Sequence, residues 1–281
     1  MKIMTIYAHP ADTITNCGGT LARHADAGDE ITAVILTHGG RIHANKYAEE
    51  WRKENPDTAI TEATLDDIIA NKKAELHAAA KIIGIDKVIT LDHDDTMASV
   101  HEDVVTQVSL LIAEIRPDVV ICDYPQNAVV AQSSHTIATM TALAAIEQAT
   151  AFVPNIDGTS EFEVRQIFMT GNPTTAIDAL STYGQRNDTF IDITPVVGRK
   201  LEAMDCFTSQ GYHGNFARKL VEASNGEYGR AAGTNFAEAY VRFRNETHDL
   251  LPLTQSAKDR DHLTRHLSYS TVNLRAEHPV T

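Results

Sequence analysis

Short apolar runs alternate with helix-like segments over the first half of the chain. Ile3–Tyr7 and Ile31–Leu36 are rich in apolar and β-branched residues, and turn formers bound them, the pattern of buried strands. Lys87–Leu91 and Val119–Cys122 repeat it. Between the first two runs, Cys17–Ala27 carries Leu21, Ala22 and Ala25 at helical spacing, with Asn16 placed to cap it and Gly28 to end it. Glu62–Ile83 reads as a helix closed by Gly84, and His101–Ile115 as one stopped by Pro117. A further helix is predicted over His135–Ala149, and residues 44–61 read as a polar, partly helical insertion. This alternation predicts an α/β fold, a Rossmann-like and mostly parallel sheet flanked by helices.

Beyond residue 150 the pattern changes. Val164–Thr170 and Phe190–Ile193 read as strands, and Pro195–Phe207, Phe216–Ala223 and Phe236–Phe243 as helices. From Asn245 onward the chain is polar with little periodicity. The expected organisation is one catalytic domain over residues 1–244 and a C-terminal arm or tail over 245–281, either a surface or partly disordered segment or an arm that wraps a neighbouring subunit, with a homo-oligomer expected.

Composition narrows the class. The 281 residues carry a net charge of −14, a field that repels phosphate backbones and argues against a nucleic-acid partner. A bound metal or a local Arg still allows a small anionic substrate. The three cysteines, Cys17, Cys122 and Cys206, are scattered and suit a reducing compartment. No apolar run has membrane-spanning length, and the N-terminus lacks a signal-peptide core, so a cytoplasmic enzyme is expected.

Four histidine-bearing loops fall at predicted strand ends or the helix start after strand four: His9, His38 with His43, His93, and His135. In a parallel sheet these loops share one edge, where ligands bind. His9 and Asp12, three apart on the first turn, can aim at one point as two ligands of a metal would.

The string Ala8-His9-Pro10-Ala11-Asp12, then Gly18-Gly19-Thr20-Leu21, then Thr37-His38-Gly39 after the second strand, resembles the PIG-L/LmbE-like zinc deacetylase superfamily. Lys72-Lys73-Ala74-Glu75-Leu76, Asp192-Ile193-Thr194, Lys200, Ser209-Gln210 and Ala237-Glu238-Ala239-Tyr240 resemble its later landmarks. The resemblance implies Zn²⁺ held by His9, Asp12 and His135. Such a set leaves a position open for water, whose pKa the metal lowers toward neutrality.

The departures point to altered chemistry. The family's general base is Ala11 here, its later-motif His is Gln132, and the Asp that orients a His is Ser134. Amide hydrolysis needs a proton for its amine leaving group. The family's 4-oxalomesaconate hydratase branch, which adds water to a carbon–carbon double bond, also has Ala at the base position. Its Gly-Glu-Arg-Gly-Glu stretch aligns with Gly39-Gly40-Arg41-Ile42-His43, where Arg41 matches and His43 replaces a Glu. The expected catalytic residues are therefore His43, His38, Gln132 and Asp94, with Arg41 and Lys73 as substrate contacts. The expected activity is zinc-dependent hydration, or a related lyase step, on a small, polar, carboxylated substrate. Deacetylation with a relocated base is the alternative, and a non-catalytic binding protein the third reading.

Overall fold

A computed structural model of the chain describes residues 1–42, 45–126, 133–157, 161–171, 186–259 and 261–272. Four parallel strands open the domain: β1 (Lys2–Tyr7), β2 (Glu30–Thr37), β3 (Lys87–His93) and β4 (Val119–Asp123). They are followed by β5 (Gln166–Thr170), β6 (Thr189–Asp192) and β7 (Ala237–Arg242). The spatial order is β3-β2-β1-β4-β5-β7-β6, with β1 to β5 parallel and β7 antiparallel to both β5 and β6. The strand order reverses between β1 and β4, which opens a crevice at their carboxyl ends.

Helices cover both faces, so β1 buries side chains on each. Ile3 and Tyr7 join one core with residues of α1 (Asp12–Asp26), α4 (Leu65–Ile83) and α7 (Val197–Met204). Met4 and Ile6 join the other, with α5 (Glu102–Ile115) and α6 (Ser134–Asp157). A strand buried on both faces reads as a continuous apolar run, which is why the parallel half is visible in the sequence. The insertion forms two short helices, α2 (Asn45–Glu50) and α3 (Thr58–Thr61). Thr64 caps α4 through a reciprocal pair with Asp67, three residues later than the sequence suggests.

Two expectations fail. The helix predicted over Phe236–Phe243 is strand β7. Ala and Glu favour helices, but the segment fills the gap between β5 and β6, and tertiary pairing overrides propensity. The first helix starts at Asp12 instead of Cys17; Cys17 is a break inside it, with φ −136° and ψ 15°. Further on, α8 (Gly214–Leu220) runs through a π turn at Val221–Asn225 into α9 (Gly226–Ala232).

The C-terminal arm contains α10 (Gln255–Lys258) and α11 (His262–Leu267). Its later residues fold back on the same domain. Asn235 bonds the Ser268 carbonyl and the Ser270 N–H, and Val272 N–H reaches Glu222. Among the described residues, no helix is long and apolar enough to cross a membrane.

Candidate metal centre and its neighbouring loop

The β1 strand ends at Tyr7, and residues 8–11 turn the chain directly into α1. Asp12 is the first residue of that helix, and its Oδ2 accepts the His9 backbone N–H at 2.8 Å. The same oxygen lies 3.3 Å from His9 Nδ1 and 3.6 Å from His135 Nδ1. The two imidazoles meet edge to face, with centroids 4.9 Å apart. One ligand atom from each of the three residues falls within 4.8 Å of the other two.

Each imidazole has a further polar partner. Ser134 Oγ is 3.0 Å from His9 Nε2, so the position where the family carries an Asp still serves a histidine. Asp123, the last residue of β4, places Oδ2 2.8 Å from His135 Nδ1. Its other oxygen accepts from Asn16 Nδ2 at 2.8 Å and Thr170 Oγ1 at 3.0 Å. Carboxylates that fix the ring of a metal-binding histidine in this way set its tautomer and raise its basicity. Sequence reading missed Asp123 and Asn16. Asp123 ends a strand one position longer than the apolar run, and its partner His135 lies twelve residues further on.

The electrostatics follow from this crowding. Burial pushes the Asp12 carboxyl up, but His135 and His9 outweigh it and hold it well below the ordinary carboxylate range. Burial lowers the His135 imidazole, yet Asp12 and the Asp123 hydrogen bond carry it up to about 9. Two imidazoles and one carboxylate, packed against each other inside the protein, fit a divalent metal of the zinc type. Ligands of tetrahedral zinc stand roughly 3.3 Å apart, the separation of His9 Nδ1 from Asp12 Oδ2.

The loop after β2 packs directly on this turn. Thr37 N–H and Oγ1 both donate to the Ala8 carbonyl, at 2.9 and 2.8 Å. Gly39 has φ +66°, and a Cβ there would stand 2.8 Å from Pro10 Cδ, so only glycine allows the approach. His38 is buried, with Nδ1 2.7 Å from Asp95 Oδ1 and Nε2 3.7 Å from Asp94 Oδ2. Gly40 N–H also points at Nδ1, at 2.9 Å. Asp95 Oδ2 accepts the Arg41 and Ile42 N–H groups, both at 2.8 Å. Asp94 bonds Arg41 Nε at 2.8 Å and Thr96, and these contacts hold its carboxyl well below the ordinary range.

Lys72, buried on α4, closes the loop from below by donating to the Gly39 and Ile42 carbonyls. Its neighbour Lys73, the expected substrate contact, instead reaches Asp92 at 2.6 Å. Arg41 stands half exposed at the rim. His93 turns toward Gln107 on α5, with 3.0 Å between them. His43 and Gln132 lie outside the described residues.

The profile of the PIG-L family, described as GlcNAc-PI de-N-acetylase, matches residues 4–146, half of the chain. The protein belongs to the PIG-L family. Two relatives span most of its length. A diacetylchitobiose deacetylase of Thermococcus kodakarensis is 24% identical over 74% of this chain and 70% of its own. A 4-oxalmesaconate hydratase of Pseudomonas putida is 27% identical over 74% of this chain and 73% of its own. Solved structures share the fold. The 4-carboxy-2-hydroxymuconate hydratase of Pseudomonas putida superposes with a TM-score of 0.72 at 21% identity, covering 89% of this chain and 99% of that one. An N,N'-diacetylchitobiose deacetylase of Pyrococcus horikoshii gives 0.63 at 20% identity, covering 86% and 83%. These PIG-L relatives are enzymes acting on small molecules, and this protein is an enzyme of the same superfamily with residue groups suited to a metal.

Proposed function

We propose that the protein is a zinc-dependent hydratase that adds water across a carbon–carbon double bond of a small carboxylated substrate. The observation that carries this reading is Ala11. It is buried at 1% exposure between two intact ligand positions, and a methyl group there cannot take or give a proton. His9, Asp12 and His135 would hold the zinc, which supplies Lewis acidity and a water of lowered pKa when bound.

The proton work falls to the adjoining loop. His38 exchanges a proton through Nε2, and the Gly40 N–H at Nδ1 fixes the orientation of the ring beside Asp95. In hydration the hydroxyl of water joins one carbon of the double bond and a proton joins the next. No amine leaves, so the acid that an amide cleavage requires is not needed. Arg41 at the rim offers a planar guanidinium for a substrate carboxylate, shared with or released by Asp94. His43 and Gln132 remain candidates for the same pocket on sequence grounds.

The test is a pair of assays on zinc-loaded protein. Unsaturated keto-dicarboxylates lose their conjugated ultraviolet absorbance on hydration, and N-acetylated sugars release acetate on deacetylation. Loss of absorbance that chelation abolishes and zinc restores is expected, with no acetate formed. Acetate release with unchanged dicarboxylates would sink the hydratase reading in favour of deacetylation.

A further inference from the structure

A regular α-helix sends each N–H to the carbonyl four residues back, so Gly19 N–H belongs to Thr15 and Thr20 N–H to Asn16. In α1 these groups have other partners. Gly19 N–H donates to Glu238 Oε1 at 2.9 Å and Thr20 N–H to Oε2 at 2.7 Å. The Thr15 carbonyl accepts from Lys200 Nζ at 3.0 Å. Lys200 and Glu238 are themselves paired at 2.6 Å, each side chain only 1% exposed. An ion pair from α7 and β7 is thus set into the helix at the Cys17 break. The carboxylate caps the second half and the ammonium binds the end of the first.

The pair is fully satisfied. Lys200 has three donors and three partners: Thr15 O, Glu238 Oε1, and Asn225 Oδ1 at 3.2 Å. Asn225 comes from the π turn and is anchored by its own bond to the Ala237 carbonyl. Glu238 also has the Tyr240 hydroxyl 3.2 Å from Oε2. Gly19 admits the close packing of Ile193 on this stretch of the helix; a Cβ there would lie 2.7 Å from the Ile193 side chain. Pairs this complete define one arrangement, whereas half-satisfied ones cost stability.

The short first segment of α1 carries both halves of the candidate centre. Asp12 opens it, and Asn16, one residue before the break, holds Asp123, which in turn holds His135. We propose that Lys200 and Glu238 are positioning residues that hold α1 open at Cys17, so that this segment aims Asp12 and His135 at one point. The inference rests on the metal-centre reading above.

The experiment compares Lys200→Met/Glu238→Gln with Val108→Ala. The double change avoids stranding a lone buried charge, and the control is a truncation on α5 in the core of the opposite sheet face. Competitive zinc titration and hydrogen exchange of the peptide over residues 9–20 are read on each. The double variant should bind zinc at least about tenfold more weakly than the control, the range seen when outer-shell partners of a metal are lost. Its 9–20 peptide should exchange at least about tenfold faster, a local opening confined to this segment. Zinc affinity or exchange equal to the control's would overturn the proposal. If the wild-type protein takes up no zinc, the metal-centre reading fails, and exchange alone decides whether the pair holds the helix. Should the double variant not fold, Asn225→Ala removes only one acceptor of Lys200, and the same two readings decide with a smaller shift.

Discussion

At the end of β1 a histidine and an aspartate face a second histidine; at the end of β2 a histidine faces two aspartates. Both groups have the residue types of a metal site. Their surroundings differ. Around Asp12 the neighbours are imidazoles, His9 met at its other nitrogen by Ser134 and His135 bonded at Nδ1 by Asp123. Around His38 the carboxylates are already engaged, Asp95 by two backbone N–H groups and Asp94 by Arg41 and Thr96. The first arrangement gathers donor atoms for a cation. The second spends its carboxylates on holding a loop beside an imidazole, which suits moving a proton. Residue type alone does not separate a ligand from a proton carrier; what each carboxylate is already bonded to does.

Four substitutions test that contrast. Asp12→Asn should abolish zinc uptake and cost about 1000-fold or more in turnover, since a metal supplies several kcal/mol of charge stabilisation. Metal analysis of the purified variant is the check, and full zinc occupancy would break the assignment. His38→Ala should lower turnover by about 100-fold or more while zinc content stays at the wild-type level. Loss of zinc together with activity would make the two groups one site.

The third test concerns the loop itself. Burial lowers the Lys72 ammonium to about 8 from its ordinary 10.5. Below pH 8 both folded and unfolded chains keep that proton, so stability has no slope from this group. Between 8 and 10.5 the unfolded chain retains a proton the folded one has lost, and unfolding free energy rises by roughly 3 kcal/mol before levelling. Denaturant titrations across this range should show the rise in the wild-type protein and not in Lys72→Met. The smallest effect belongs to the rim. Arg41→Ala should raise KM about tenfold for a carboxylated substrate and leave kcat nearly unchanged, as expected for binding that is equal in ground and transition states. An equal loss in kcat would move Arg41 from the rim into the chemistry.

The parallel half of the fold was legible from the chain because β1, β2 and β4 are buried on both faces and α4 is bounded by a capping box and Gly84. That the histidine loops share one edge was legible too, since parallel strands deliver their loops there, and the family resemblance picked His9, Asp12 and His135 from among them. Three features depended on the tertiary structure. Residues 237–242 are a strand because two neighbours leave a gap that only a strand fills. Asp123 and Asp95 matter because of what stands 2.7 to 2.8 Å away, and no local spacing encodes that. The break in α1 exists where an ion pair from two distant elements meets Gly19 and Thr15. Local periodicity records which face of an element is buried. Which buried polar group answers which is settled only when the elements pack, because an unpaired one inside the protein costs more than any local preference returns.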